Sequence, residues 1–174
     1  MEFRFETKYD QKGLTVMARA LRKTIRKKRS RRSHLFGWCM AALCVLLIAV
    51  QRMLDEPWMF RDTLNLSVGV ILIVILLTED QVNAFFARKK MLPGTSSAKS
   101  VFTEESYTST TEAAATEFHY ETVQQVCETE EYFVLLFSQQ HGQIYDKAAL
   151  SGGTAGDFRA FITEKTGKPV AYIK

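Results

Sequence analysis

The stretch 35-LFGWCMAALCVLLIAV-50 decides how this chain is built, because it is a long, uncharged and mostly apolar run. Met53 and Leu54 extend it past two polar residues. Twenty residues at ~1.5 Å rise per residue cover the ~30 Å hydrocarbon core of a bilayer. A secretory signal peptide would have a shorter apolar region, ~7–15 residues, nearer the N-terminus and followed by a cleavage site. The stretch therefore predicts a transmembrane helix over about residues 34–54.

A second apolar run, 64-LNLSVGVILIVILL-77, predicts a partner for this helix. Taken alone, a run of this length is also typical of a buried core helix. Trp58 and the two apolar residues after it extend the run toward its N-terminal side, which makes it long enough to cross a bilayer. Pro57 and its charged neighbours suit a turn in water. We therefore predict a transmembrane hairpin over residues 34–86, with helices at about 34–54 and 58–82.

The charge of the chain is distributed unevenly around this hairpin. Residues 1–33 contain twelve Lys and Arg against three Asp and Glu, whereas residues 98–174 contain six against eleven. Short loops rich in Lys and Arg stay in the cytoplasm. The basic block 22-RKTIRKKRSRR-32 before the first helix and Arg88–Lys90 after the second therefore predict a multi-pass protein with both termini cytoplasmic. Nucleic acid is not an expected partner, because the block has no interleaved aromatic residues and is tethered at the bilayer.

The basic block also belongs to an amphipathic pattern. Leu14, Met17, Ala18, Leu21 and Ile25 recur at helical spacing, with Arg and Lys on the other face. We predict a basic juxtamembrane helix over residues 11–33. Its charges either determine topology alone or also bind anionic lipid headgroups, where each contributes ~1 kcal/mol. The candidate membrane-surface residues are Arg22, Lys23, Arg26, Lys27, Lys28, Arg29, Arg31 and Arg32.

The N-terminal segment predicts a strand that needs a sheet elsewhere in the chain. Phe3, Phe5, Thr7 and Tyr9 alternate with charged residues, which is typical of a half-buried strand. A lone strand is unstable, so residues 1–10 should join a sheet in the same compartment. After a loop-like linker at 87–97, residues 98–174 predict a small cytoplasmic domain that could supply this sheet.

The C-terminal domain combines short strand-like runs with one helix. The predicted strands are 100-SVFTEES-106, 107-YTSTT-111, 116-TEFHYETV-123, 132-YFVLLFS-138, 142-GQIYDKAAL-150 and 169-PVAYI-173. The segment 154–168 predicts an amphipathic helix, with Thr154 and Asp157 as a capping box and Gly167 at its end. The fold class expected is a membrane protein of α+β type, with an antiparallel β roll closed by a C-terminal helix.

The sequence contains no strong motif for catalysis, a cofactor or a metal. Cys39 and Cys44 lie five residues apart on the first predicted helix and point in different directions, so a shared metal or disulfide is not expected. Cys127, His119 and His141 lack a metal-binding spacing. The stretch 151-SGGTAG-156 lacks the lysine of a phosphate-binding loop. We therefore expect a protein without enzymatic activity, cofactor or metal.

The residues 118-FHYETVQQVCETEEYFVLLFSQQHGQIYDKAALSGGTAGDFRAFITEKTGK-168 resemble the YcxB-like family of bacterial membrane proteins. The resemblance implies a pleckstrin-homology-like fold and a location in the bacterial cell membrane, and no particular activity. Asp146 departs from the family pattern, which is expected to have Pro before the Lys. The positions that carry the pattern are Tyr120, Val123, Val126, Tyr132, Phe133, Leu135, Ile144, Lys147, Leu150, Phe158 and Phe161.

Two functions fit this architecture. The first is a non-enzymatic membrane protein that presents a cytoplasmic interaction domain at the inner leaflet and binds or regulates a membrane-associated protein. The alternative is a lipid-binding or envelope-protective protein of pleckstrin-homology-like type. Binding of anionic lipid needs a basic surface, whereas residues 98–174 carry a net charge of −5. The charge therefore favours protein contact by the domain, with any lipid contact made by residues 14–32.

Overall fold

The computed structural model describes residues 2–173, which form an α+β protein as the sequence predicts. The helices are α1 (Gln11–Lys23), α2 (Lys27–Met53), α3 (Phe60–Lys89) and α4 (Ala155–Thr166). The strands are β1 (Phe3–Lys8), β2 (Ser97–Phe102), β3 (Ser106–Thr110), β4 (Ala115–His119), β5 (Gln125–Glu128), β6 (Tyr132–Leu136), β7 (Gly142–Asp146), β8 (Leu150–Ser151) and β9 (Val170–Tyr172).

The N-terminal strand β1 lies inside the first sheet, whose order is β4-β3-β2-β1-β8. It pairs antiparallel with β2, so that Phe3 lies opposite Phe102. Its alternation is the observed burial pattern, with Phe3, Phe5 and Thr7 buried and the residues between them exposed. The predicted pairing of this strand with the C-terminal segment is therefore observed, although the two strands lie on either side of the helical hairpin in sequence.

The second sheet has the order β7-β6-β5-β9 and corrects the prediction of a purely antiparallel roll. Strand β9 pairs with β5 in parallel, with Val126 opposite Val170. The parallel pairing arises because α4 lies between the first strands of this sheet and β9, which lets the chain return in the direction of β5.

Two apolar layers hold the domain together. In the first, Phe5 of β1 and Phe133 of β6 pack with Phe158 of α4. In the second, the opposite face of the second sheet packs against α1, where Leu21 contacts the cluster that contains Cys127. Both faces of the second sheet are thus covered, which explains why every residue of β6 is buried.

Helix α4 closes the domain and has the ends that the sequence predicts. Thr154 and Asp157 form a reciprocal capping box, and Gly167 ends the helix with a left-handed φ of 63°. Glu128, whose side chain is only 5% exposed, accepts hydrogen bonds from Arg159 at 2.5 and 2.7 Å and from Lys147 at 2.6 Å. The hydrogen bonds from Arg159 are the main cause that lowers the pKa of this carboxyl. This ion pair ties α4 to β5.

The predicted single helix over residues 11–33 is wrong, because the chain turns between α1 and α2. Thr24 leaves helical geometry with φ −118° and ψ −92°, and its hydroxyl donates to the carbonyl of Ala20. The amide of Arg26 reaches back to the carbonyl of Leu21 at 2.8 Å. The turn allows α1 to stay packed on the second sheet while α2 follows α3.

Two strand predictions also need correction. The run 116–123 is not one strand, because β4 ends at His119 and a 3₁₀ turn begins at Tyr120. The hydroxyl of Tyr120 donates to the carbonyl of Thr103 at 2.6 Å, which fixes this turn where the chain leaves the first sheet. The run 142–150 likewise ends its strand at Asp146, whose carboxylate accepts from the amide of Ala148 at 2.9 Å and starts a second 3₁₀ turn.

The long helices α2 and α3 pack as an antiparallel hairpin with one register along its length. His34 contacts Glu79 near one end, and Arg52 lies 3.8 Å from Asp62 near the other. Between them, a Cβ built on Gly69 would lie 3.3 Å from the Cβ of Cys44. Small residues at such positions let the two backbones approach closely. The helices run further than predicted, from residue 27 in α2 and to residue 89 in α3.

Candidate functional site

The candidate membrane-surface residues lie where α1, α2 and α3 meet, which we call the base of the hairpin. Arg22 and Lys23 end α1, Arg26 lies in the turn, and the others occupy the first turns of α2. Arg22 and Arg26 are partly buried, whereas the basic residues of α2 are exposed. The exposed basic residues of α2 are Lys27, Lys28, Arg29, Arg31 and Arg32.

Arg22 forms an ion pair with an acidic residue of α3. Its guanidinium donates to both carboxylate oxygens of Asp80, at 2.7 and 2.6 Å. The Asp80 side chain is only 9% exposed, and Arg19 lies 3.7 Å from it. The hydrogen bond to Asp80 is the main cause that raises the pKa of Arg22. Arg22 therefore joins α1 to α3, and its charge is matched inside the protein.

A second contact continues this network toward the apolar part of the hairpin. His34 of α2 shares a hydrogen bond with Glu79 of α3. The same carboxylate lies 3.9 Å from Arg22. The pair Glu79–Asp80 thus connects both α1 and α2 to α3 immediately beside the apolar segment that begins at Leu35.

The base of the hairpin also contains a polar cavity, which we call the arginine pocket. Its volume is about 310 Å³. It lies between the ends of the three helices and the turn that joins β6 to β7, and Arg26 links these parts by donating to the carbonyl of Gln139 at 2.5 Å. The residues that line it are Ala18, Arg22, Arg26, Arg29, Ser30, Ser33, Glu79, Asn83, Gln139 and Gln140.

The thiols and imidazoles considered for metal binding lie apart from one another. Cys127 is buried under α1, and this burial raises the pKa of its thiol to about 11. His119 ends β4, while His141 lies in the β6–β7 turn and hydrogen-bonds Ser138 at 3.1 Å. Across residues 2–173, no group of three or more His, Cys, Asp or Glu side chains could hold a metal ion.

Two residues at the base of the hairpin escaped the sequence analysis. The sequence analysis assigned no role to Asp80, or to Gln139, which follows the predicted strand 132–138. The charge of Asp80 next to an apolar helix does indicate that it needs a basic partner. Its pairing with Arg22, 58 positions away, depends on the docking of α1 against α3, which no local pattern encodes.

The protein is of α+β class, with a β domain, which consists of the two sheets and α4, joined by the short helix α1 to an apolar helical hairpin. Two of its helices, Lys27–Met53 and Phe60–Lys89, are long and apolar enough to cross a membrane. Residues 102–162 match the family model described as YcxB-like protein, so the chain carries a YcxB-like domain and the resemblance stated from the sequence is confirmed. No curated protein and no solved structure matches the chain.

Proposed function

We propose that this protein is an integral membrane protein in which α2 and α3 cross the bilayer as a hairpin. The exposure of apolar side chains on these helices carries the proposal. Phe36 is 69% exposed, Leu46 57% and Leu77 67%. Soluble monomers rarely expose a contiguous apolar patch larger than ~600 Å². A bilayer is the cover that suits two helices of this length and composition.

The distribution of charge supports an orientation with both termini in the cytoplasm of a bacterial cell. The antiparallel hairpin puts the start of α2 and the end of α3 on the same side. That side carries the basic residues of α2 together with Arg88, Lys89 and Lys90, whereas the turn near Asp55 mixes both signs. This asymmetry follows the positive-inside rule. The β domain would then face the inner leaflet.

Membrane insertion and orientation are tested separately. Alkaline carbonate should leave the full chain in the membrane fraction, and release into the supernatant would refute the anchor. For orientation, single cysteines replace Glu6, Glu56 or Ser96, which are all exposed, in a chain whose three native cysteines have been replaced. A membrane-impermeant maleimide should label only the Glu56 position in intact cells. Labelling at the Glu6 and Ser96 positions would show that the orientation is the opposite of the one proposed.

Within this framework we propose that the β domain has no enzymatic activity and that it binds or regulates a membrane-associated protein. A groove of about 800 Å³ between α1 and the second sheet supports this role. Tyr172, 61% exposed, and Glu130 line it beside β9, which is an edge strand. An edge strand offers unpaired backbone groups to an extended partner segment. Two packed sheets closed by a helix also support a pleckstrin-homology-like fold for this domain.

The partner is tested in the native membrane with a photo-crosslinking amino acid at Tyr172. The matched control is the same amino acid at Thr108, an exposed residue on β3 of the other sheet. One defined protein should crosslink at Tyr172 and not at Thr108. Equal capture at both positions would indicate contact by chance, and would count against the groove.

Lipid binding is the second candidate function, and the exposed basic residues of α2 favour it. Five of them lie in the turns just before the apolar segment that begins at Leu35. Because the apolar face of α1 packs on the second sheet, these residues of α2, rather than α1, would contact anionic headgroups. Lipid contact of this kind is compatible with protein binding at the groove.

A further inference from the structure

We propose that the arginine pocket is a specific binding site for a phosphate group, supplied by a phospholipid headgroup. This inference rests on the proposed membrane anchor and deepens it. A diffuse basic surface attracts any anionic leaflet, whereas a pocket selects one phosphate and holds it. The distinction depends on the side chains that line the cavity and on where the cavity lies.

The lining of the pocket has the chemistry that a phosphate requires. Three guanidinium groups, those of Arg22, Arg26 and Arg29, face a single lining carboxylate, that of Glu79. Guanidinium groups bind phosphate oxygens through pairs of parallel hydrogen bonds. Arg22 is already committed to Asp80, so Arg26 and Arg29 are the residues that would contact the ligand. Within residues 2–173, Arg29 has no carboxylate within 4.0 Å.

Two serine hydroxyl groups in the pocket are also available to a ligand. Helical Ser and Thr residues commonly donate to the carbonyl four residues earlier, and Thr15, Ser67 and Thr78 of this protein all do so, at 2.7–2.8 Å. In the part of the chain that the structure describes, Ser30 and Ser33 make no such bond. Both line the pocket on α2, together with the amide side chain of Asn83 on α3.

The position of the pocket matches the depth of a lipid phosphate. Ser33 and Ser30 precede Leu35 by two and five residues, so they lie ~3 and ~8 Å along the helix from the start of the apolar segment. The headgroup region on each side of the ~30 Å hydrocarbon core is ~5–7 Å thick. Phe85 and Phe86, which are exposed, lie within three residues of Asn83 on α3 and so near this level.

A bound phosphate would join three parts of the protein. Arg26 and Gln139 belong to the turn after α1 and to the β domain, whereas Arg29 and Asn83 belong to the hairpin. A headgroup held among them would therefore fix the β domain relative to the membrane helices. The lipid would then be a structural partner of the β domain, in addition to surrounding α2 and α3.

The experiment uses the full chain purified in a neutral detergent, with calorimetric titration of three probes. They are soluble short-chain phosphatidylglycerol, soluble short-chain phosphatidylcholine and inorganic phosphate. The test variant is Arg26→Gln with Arg29→Gln. The matched control is Lys28→Gln with Arg32→Gln, which removes the same charge from exposed residues of the same segment that do not line the pocket.

We expect the wild-type chain to bind phosphatidylglycerol, and the pocket variant to bind it at least tenfold more weakly than the control variant. If inorganic phosphate binds, and binds more weakly to the pocket variant than to the control variant, the phosphate site is supported and its ligand is a soluble anion. Equal losses in both variants, or no saturable binding of any probe to the wild type, would overturn the proposal. Carbonate extraction of each variant distinguishes this result from failure of the membrane anchor.

Discussion

The N-terminal strand β1 contributes side chains to the core of the domain, and replacing Phe5 with Ala measures that contribution. The ring is 2% exposed, and its centroid lies 4.8 Å from that of Phe158, 5.3 Å from that of Tyr145 and 5.7 Å from that of Phe102. Truncation of a fully buried Phe to Ala costs ~3–5 kcal/mol. A domain of ordinary stability has only ~5–15 kcal/mol in total. The variant should therefore be close to unfolding.

Hydrogen exchange followed by mass spectrometry on the full chain in neutral detergent measures this loss. Each ~1.4 kcal/mol changes the population of the open state tenfold. Amides of β1 and β2 should therefore exchange roughly 10²–10⁴ times faster in Phe5→Ala, whereas amides inside α2 and α3 should keep their rates. The control is Glu6→Thr, the next residue on the same strand, whose side chain is exposed. Surface changes of this type usually stay within ~0.5 kcal/mol.

Two outcomes would refute this reasoning. If Phe5→Ala and Glu6→Thr changed exchange in β2 equally, the ring would not be a core residue. If exchange rose only in β1, the strand would be an appendage to a domain that is stable without it. Phe5→Leu adds a graded test, because it keeps most of the buried volume and should cost less than the change to Ala.

Three further predictions address the hairpin and the buried charges. In a chain without other cysteines, Gly69→Cys should form a disulfide with native Cys44, because Cβ atoms 3.3 Å apart need to separate by only a few tenths of an ångström to reach disulfide geometry. Val70→Cys, on another face, should not. Glu128→Gln should cost ~1–3 kcal/mol at pH 7, where the buried carboxylate accepts charged hydrogen bonds. Its folded-state pKa is lowered from 4.5, so this contribution is present above pH 4.5 and is lost as pH falls further. Asp80→Asn should leave the guanidinium of Arg22 without a carboxylate to balance its charge, and should raise hydrogen exchange across α1.

Each of these predictions has a result that contradicts it. Equal oxidation of Val70→Cys and Gly69→Cys would mean that the two helices lack a fixed register. A stability gap between wild type and Glu128→Gln that stayed constant from pH 7 to pH 3, in thermal melts, would contradict the ion pair. Unchanged exchange in α1 on replacing Asp80, with Glu79→Gln as the comparison, would mean that α1 is held by the second sheet alone.

Local sequence patterns predicted the elements that bury a single face or carry their own end signals. β1 alternates without a break because only one of its faces is buried, and α4 has a capping box and a terminal glycine within its own sequence. The apolar hairpin was visible for the same reason, since its composition is uniform along most of its length. These features depend on neighbours in sequence, so sequence alone suffices to find them.

The missed features depend on contacts between distant segments. β5 escaped prediction because 125-QVCE-128 does not alternate, its last three residues being buried by the first apolar layer, α1 and the Glu128 ion pair. The break at Thr24 escaped because the helical pattern continues through it, and only the docking of α1 requires a turn there. The arginine pocket is of the same kind, since its lining comes from three helices and two turns.

The position of β1 before the hairpin has a consequence for biosynthesis. The aromatic partners of Phe3 are Phe158 and Phe161, which lie at 5.4 and 5.1 Å in the folded protein and near the other end of the chain. A ribosome that adds roughly 5–20 residues per second needs ~8–30 s to pass from β1 to α4. The hairpin, whose insertion into the membrane is proposed above, is synthesised during this interval, and β1 lacks its aromatic partners until α4 has been made. With the membrane anchor proposed above, a message truncated just after the hairpin would yield a chain that displays β1 without its sheet partners β2 and β8, a target for proteases that remove unfinished membrane proteins.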